Sequence, residues 1–236
     1  MAFYNKIKIF YDGTNIDNYG SIEYVKGFTT NPTLLNKGTL EDKNYKNIAQ
    51  YMINKSKNLP LSFEVFADDE ETILKQARII HNWSNNIYVK IPIINTKGES
   101  MENVIKQLNS ENIKINITAI FTKKQIDTAY KSIINKNVNS IISVFSGRIA
   151  DTGKDPKDYV KYAVNLTKDY NNIEILWASV REVYNIFDAI NCKCDIITIP
   201  DNIFKKLKII NKDLFEYSRE TVEMFYNDGI KSNIII

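Results

Sequence analysis

Short apolar segments alternate with helical patterns along almost the whole chain, polar residues recur at the ends of those segments, and no Gly-x-Gly-x-x-Gly follows the first of them. Together these predict an α/β fold, a (β/α)8 TIM barrel with an extra C-terminal helix, filling residues 1–236 as a single domain. Alternation of this kind argues for βαβ units around a parallel sheet. About eight repeats in 236 residues suit a closed barrel better than an open doubly wound sheet, the second choice.

The elements follow in order. Lys6–Asp12 and Val25–Thr30 are apolar runs that open the chain as its first two strands. A helical pattern over Leu40–Lys57 leads to the third strand, Leu61–Phe66, and another over Glu70–Ser84 to the fourth, Asn86–Ile93. Ser100–Ser110 precedes the fifth strand, Ile113–Ile120, and Lys123–Asn135 the sixth, Ser140–Phe145. Helix Asp158–Asp169, strand Ile173–Ser179, helix Arg181–Ala189 and strand Asp195–Ile199 complete the count, followed by helix Asn202–Ile209. Beyond the last repeat, Lys212–Asp228 reads as the extra amphipathic helix, with Leu214, Phe215, Tyr217, Val222, Phe225 and Tyr226 as its apolar residues.

Composition narrows the function. A 44% hydrophobic, 25% charged chain is an ordinary globular one, long enough to bury one substantial core. A net charge of +3, with lysines dispersed and no aromatic-basic stripe, argues against nucleic acid as a partner. No secretory signal and no membrane-length apolar run is visible, so a cytoplasmic protein without a membrane partner is expected. Cys192 and Cys194, two apart and without neighbouring ligands, suit neither a disulfide nor a zinc site and read as packing residues. The sole histidine, His81, falls late in a helical pattern, where a surface or helix-terminal role is expected; acid–base chemistry would then rest on carboxylates or lysine.

Lys90 is the conspicuous residue. In Asn86-Ile-Tyr-Val-Lys-Ile-Pro-Ile93, alternation sends Ile87, Val89 and Ile91 to one face and Tyr88, Lys90 and Pro92 to the other. A lysine in a strand ordinarily snorkels or pairs with a carboxylate. Held in a closed, partly apolar site, its charged form is disfavoured, and the free amine can attack a carbonyl to form a Schiff base.

The surrounding strand ends favour that second reading. In a barrel, catalytic groups lie at the carboxyl ends of the strands. Strand one ends in Asp12, strand two in Thr29-Thr30-Asn31, and strand three carries Glu64. Strand five carries Asn116 and Thr118, strand six Ser143 and Phe145 with Arg148 beyond, and strand seven Ser179 with Arg181 following. Pairs two apart share one face of a strand, while Ile115, Ile117, Val144 and Ala178 are expected to face the helices. Two arginines just past adjacent strand ends can grip a phosphate through planar, multidentate contacts.

Five of these segments, in this order, resemble the transaldolase family: Gly27-Phe-Thr-Thr-Asn-Pro-Thr33, Val89-Lys-Ile-Pro92, Asn116-Ile-Thr-Ala119, Ser143-Val-Phe-Ser-Gly-Arg-Ile149 and Ala178-Ser-Val-Arg181. The resemblance runs from Asp12 to Pro200. It implies a cofactor-free, metal-free enzyme that moves a dihydroxyacetone unit from a ketose phosphate, fructose 6-phosphate or sedoheptulose 7-phosphate, to an aldose phosphate. By that resemblance Lys90 is the Schiff-base lysine. Asp12 takes and returns the proton of the C4 hydroxyl, and Glu64 with Thr118 holds a catalytic water. Thr29, Asn31, Asn116, Ser143 and Phe145 line the substrate, the Asn and Ser residues bonding the dihydroxyacetone hydroxyls. Arg148, Ser179 and Arg181 clamp the phosphate. A homo-oligomer remains open.

In length the chain is similar to the compact group that includes fructose-6-phosphate aldolase, so release of free dihydroxyacetone is the alternative, as is an aldolase of a specialised sugar pathway. The resemblance separates them at Phe145, where the aldolases carry a tyrosine; Glu64 and Asn116 also read as transaldolase. With only 8 glycines and no Gly-rich loop after strand eight, the phosphate site is expected to rest on side chains. Asp151, in Gly147-Arg-Ile-Ala-Asp-Thr-Gly-Lys-Asp-Pro156, departs from the family pattern and is assigned a loop or cap role.

Overall fold

A computed structural model of the chain describes residues 3–37, 44–232 and 234. These divide into two compact units, 1–204 and 205–236. In the first unit, eight parallel strands close in sequence order into a barrel: β1 (Lys8–Asp12), β2 (Val25–Thr29), β3 (Leu61–Glu64), β4 (Ile87–Pro92), β5 (Ile115–Ile120), β6 (Ser140–Val144), β7 (Ile173–Trp177) and β8 (Ile196–Pro200). β8 pairs back onto β1 and closes the ring. The predicted (β/α)8 barrel is the fold of this unit.

Three short helices, α1 (Ile16–Tyr19), α2 (Pro32–Lys37) and the longer α3 (Tyr45–Lys55), fill the connections around β2. The helix expected over Leu40–Lys57 is α3; its first residues, 40–43, lie outside the described residues. α4 (Glu70–His81), α5 (Glu102–Ser110) and α6 (Lys123–Ser132) each follow a strand, and their ends obey local chemistry. Asp69 accepts from the Thr72 amide at the start of α4, and Thr122 with Gln125 forms a capping box on α6. α7 (Ser146–Ala150), α8 (Lys157–Thr167), α9 (Asn185–Asn191) and α10 (Asp201–Phe204) complete the layer. His81 ends α4, the helix-terminal position expected of it, and Cys192 and Cys194 are buried free thiols.

The second unit holds a 3-10 turn at Leu207–Ile209 and α11 (Leu214–Ser232), which corresponds to the extra helix expected over Lys212–Asp228 but starts and ends later. No residue of α11 is buried. The helix expected over Asn202–Ile209 is instead α10 followed by that turn. Among the described residues no helix is long and apolar enough to cross a membrane.

Two apolar regions hold the barrel. Outward-facing strand residues such as Ile9, Phe28, Phe63, Ile91, Ile117 and Trp177 are fully covered by the helices. Inside, Phe10, Tyr88, Ile141, Leu176, Ala178 and Ile196 pack together, with Phe145 against them. This inner cluster corrects one expectation: Ala178 faces the barrel interior, because alternation continues from inward Leu176 past outward Trp177 and breaks only at Ser179, whose left-handed φ of 64° brings it to the cavity as well; counting back from Ser179 put Ala178 on the helix side. The cluster plugs the barrel, and Leu176, Ala178 and Phe145 from it line the opening around which the polar residues at the carboxyl ends of the strands gather.

Candidate active site

Strand register sets the first part of the site. Glu64 on β3 is level with Lys90 on β4, and Lys90 is level with Asn116 on β5. Asp12 on β1 is level with Thr29 on β2. Because side chains alternate along each strand, residues level across neighbouring strands point to the same side of the sheet.

Lys90 is 5% exposed. Its Nζ lies 3.2 Å from Glu64 Oε2 and donates to the Thr30 carbonyl at 2.9 Å. The ordinary pairing of a strand lysine with a carboxylate is thus present, inside the barrel rather than at an edge. Burial pushes the Asp12 carboxyl above the usual carboxylate range, with the nearby Lys90 charge and the Thr29 hydroxyl pulling it partly back. The two carboxylates therefore sit in different environments, one ion-paired and one held up by burial, the condition under which two like groups take different protonation roles.

A hydrogen-bonded chain fixes the neighbouring amide. Ser143 Oγ donates to Asn116 Oδ1 at 2.6 Å, and Asn116 Nδ2 donates to Ser62 Oγ at 3.0 Å. The Ser143 proton is spent on Asn116, so Ser143 offers acceptor lone pairs to anything in the cavity, while Asn116 retains a second N–H to give. Thr118 is buried, and its hydroxyl has no hydrogen-bond partner. Two residues after Asn116 it shares the inward face, and an irregularity follows it at once: the register with β6 shifts between Ile117 and Ile120, and Ala119 adopts a left-handed φ of 57°. Strain of this kind collects at functional positions.

The far end of the site is built by loops. β7 ends at Trp177, so Ser179 and Arg181 are not a strand pair as expected; Ser179 has φ 64°, and this left-handed turn brings both into the cavity. Arg148 lies on α7, its guanidinium 5.6 Å from the Phe145 ring centre. Gly147 lets α7 and the loop after β7 touch: a Cβ there would fall 1.6 Å from the Ser179 carbonyl oxygen. Asp151 caps α7, as expected, and its carboxylate also grips Arg181, with Oδ2 2.5 Å from one terminal guanidinium nitrogen and 3.1 Å from Nε.

A cavity of about 170 Å³ joins these groups, lined by Asp12, Thr29, Asn31, Lys90, Asn116, Thr118, Ser143, Phe145, Arg148, Ser179 and Arg181. Its size, below the roughly 300–1,000 Å³ of drug-sized sites, suits a small polyol better than a dinucleotide. Every residue assigned a site role from the sequence is here except Glu64, which lines a second, largely apolar hollow with Phe66, Pro92 and Met101 and contacts Lys90. The sequence reading missed Ser62, Thr198 and the Asp151 contact. Thr198 was legible in Ile196-Ile-Thr-Ile-Pro200 as the polar residue on the same face as Ile196 and Pro200. Among the described residues, no group of three or more His, Cys, Asp or Glu is placed to hold a metal ion.

A family model described as Transaldolase/Fructose-6-phosphate aldolase matches residues 9–233. A probable transaldolase of Thermoplasma acidophilum is 32% identical over 208 residues, covering 85% of this chain and 87% of its own. One of Lactiplantibacillus plantarum is 33% identical over 205 residues, covering 85% and 88%. A solved dihydrodipicolinate synthase superposes with a TM-score of 0.58 at 10% identity, covering 91% of this chain and 79% of that one, a likeness of fold. With the matching segments lying at the strand ends around Lys90, the chain belongs to the transaldolase/fructose-6-phosphate aldolase family.

Proposed function

We propose that the chain is a transaldolase, moving a dihydroxyacetone unit from a ketose phosphate to an aldose phosphate through a Schiff base on Lys90. The observation that carries this reading is a buried lysine opening into a polar cavity with a carboxylate on each side.

Lys90 attacks the donor's C2 carbonyl after passing a proton to Glu64, its 3.2 Å neighbour. Loss of water from the carbinolamine gives the protonated imine. Thr118, with its unpartnered hydroxyl, and Glu64 hold and polarise that water. Asp12 then takes the proton of the C4 hydroxyl. The C3–C4 bond breaks, its electron pair moves to the iminium, and an enamine remains on Lys90 while the aldose phosphate departs. An acceptor aldehyde reverses these steps and receives the proton held by Asp12. Asn31, Asn116 and Ser143 bond the dihydroxyacetone hydroxyls, and Arg148, Ser179 and Arg181 receive the phosphate. The cavity lining supports transfer over release: Phe145 occupies it with a phenyl ring, which offers no hydroxyl to position a water beside the enamine.

Borohydride reduction in the presence of fructose 6-phosphate, followed by peptide mass spectrometry, tests the chemistry. The expected result is a three-carbon adduct on Lys90, absent in Lys90→Met, which keeps a buried aliphatic stem and hence the fold. An adduct on another lysine, or full turnover in Lys90→Met, refutes the mechanism.

A further inference from the structure

β8 brings one hydroxyl into the barrel that the reaction described above does not use. Thr198 is 4% exposed and lines the cavity beside Pro200. Its Oγ1 lies 2.5 Å from Thr29 Oγ1, and Thr29 Oγ1 donates to Asp12 Oδ1 at 2.7 Å. Three residues from three strands thus form one line, ending on the group assigned as acid and base.

The distances alone do not say which threonine donates to the other. Counting protons does. A hydroxyl carries one proton, and while Asp12 is ionised, Thr29 spends its own on the carboxylate. The contact between the threonines then requires Thr198 as donor. We propose that Thr198 is a positioning residue for Asp12: by donating to Thr29 it commits the Thr29 proton to the carboxylate and leaves Oδ2 for the substrate hydroxyl. This rests on the transaldolase reading only in assigning Asp12 its role.

Two consequences follow from the geometry. A hydroxyl that accepts a bond becomes a stronger donor, so Thr198 strengthens the bond that favours ionised Asp12. When Asp12 takes the C4 hydroxyl proton on Oδ2, Oδ1 goes on accepting from Thr29 and Thr29 from Thr198, so the line holds without any of its protons moving. The transferred proton stays on Asp12, poised for return to the acceptor, and both buried hydroxyls remain bonded in each state.

The test uses Thr198→Val, which nearly preserves shape while removing the hydroxyl, together with Thr198→Ser, Thr29→Val and the double variant. The Asp12 carboxyl is followed by carbon NMR titration in the ligand-free protein, its signal assigned by loss in Asp12→Asn. Turnover and the reduced Lys90 adduct are measured in parallel across pH.

In Thr198→Val the Asp12 titration should move to higher pH, carrying the acidic limb of kcat/KM with it. The kcat should fall about three- to tenfold, the weight of one net hydrogen bond, while adduct formation on Lys90 is unchanged. Thr198→Ser should restore both, and Thr198→Val should add nothing in the Thr29→Val background. An unmoved titration, failure of serine to rescue, or an equal loss in the Thr29→Val background would mean that Thr198 only packs, and overturns the proposal. Absence of any Lys90 adduct in the wild type refutes the transaldolase reading instead; the titration still decides the role of Thr198.

Discussion

Replacing Asp12 by asparagine should make the protein more stable and much less active at once. The carboxyl is raised chiefly by burial, so its charged form is the costly one in the folded chain. A folded pKa above the unfolded value means that the native state holds the proton more tightly; stability is greatest below the unfolded value and falls as pH rises through the folded one. Once pH passes the folded value, the native protein carries the whole penalty. The amide carries none of it, keeps an oxygen for the Thr29 hydroxyl, and points its nitrogen toward the open cavity. Lys90 is not orphaned, because Glu64 remains 3.2 Å away. A net relief near the low end of the ~1–3 kcal/mol range for a desolvated polar group raises Tm by about 2–4 °C in a chain of this size. Thermal melts at neutral pH, and again below the ordinary carboxylate pKa of about 3.9, should show the gap and then its disappearance. Activity moves the other way: the amide cannot accept the C4 hydroxyl proton, and turnover should drop by about 10²–10⁴ while the Lys90 adduct still forms. A lower Tm at neutral pH, or a gap that persists on acidification, would refute the burial argument. Turnover within tenfold of wild type would remove Asp12 as the base.

Two further outcomes test the other end of the cavity. Arg181→Ala should raise KM for phosphorylated substrates by about ten- to a hundredfold, the worth of a charge-assisted contact, and leave KM for free dihydroxyacetone or unphosphorylated aldehydes nearly unchanged; equal effects on both would take Arg181 out of the phosphate site. Given fructose 6-phosphate alone, the wild type should accumulate little dihydroxyacetone and need an acceptor such as erythrose 4-phosphate. Phe145→Tyr should increase acceptor-independent release, and rapid release by the wild type would make the chain an aldolase.

The barrel was legible because its signal is repetitive: each strand is a short apolar run and each long helix a periodic one, and errors at individual boundaries do not change the alternation. Lys90 and its neighbours were legible for a related reason. A polar side chain at the end of an apolar strand has no packing role to explain it, and Glu64, Lys90 and Asn116 fall level once the strands are aligned in parallel. The arginine end of the cavity was harder. Ser179 and Arg181 reach the cavity through a left-handed turn after β7, and the two-residue spacing that pointed to them has no bearing on why they arrive there. Counting back across that turn put Ala178 on the wrong face. Asp151 met Arg181 across 30 residues, a contact that no local pattern encodes. Thr198 and Ser62 were passed over because a threonine or serine inside an apolar strand is unremarkable until its hydrogen-bond partners are known.

The hydrogen on Gly147 works as a spacer gauge. Helix α7 and the loop after β7 meet where that residue has no side chain, and the Ser179 carbonyl occupies the room that a methyl would need. The helix carries Arg148 and the loop Arg181, so the separation of the two positive charges is set by the thinnest contact a polypeptide can make. Such a contact admits no gradual adjustment. A chain with alanine at this position must pull helix and loop apart, spreading the guanidinium groups together with the backbone that bears them. The spacing of the two guanidinium groups is therefore tuned by swapping side chains on a fixed frame, not by loosening the frame itself.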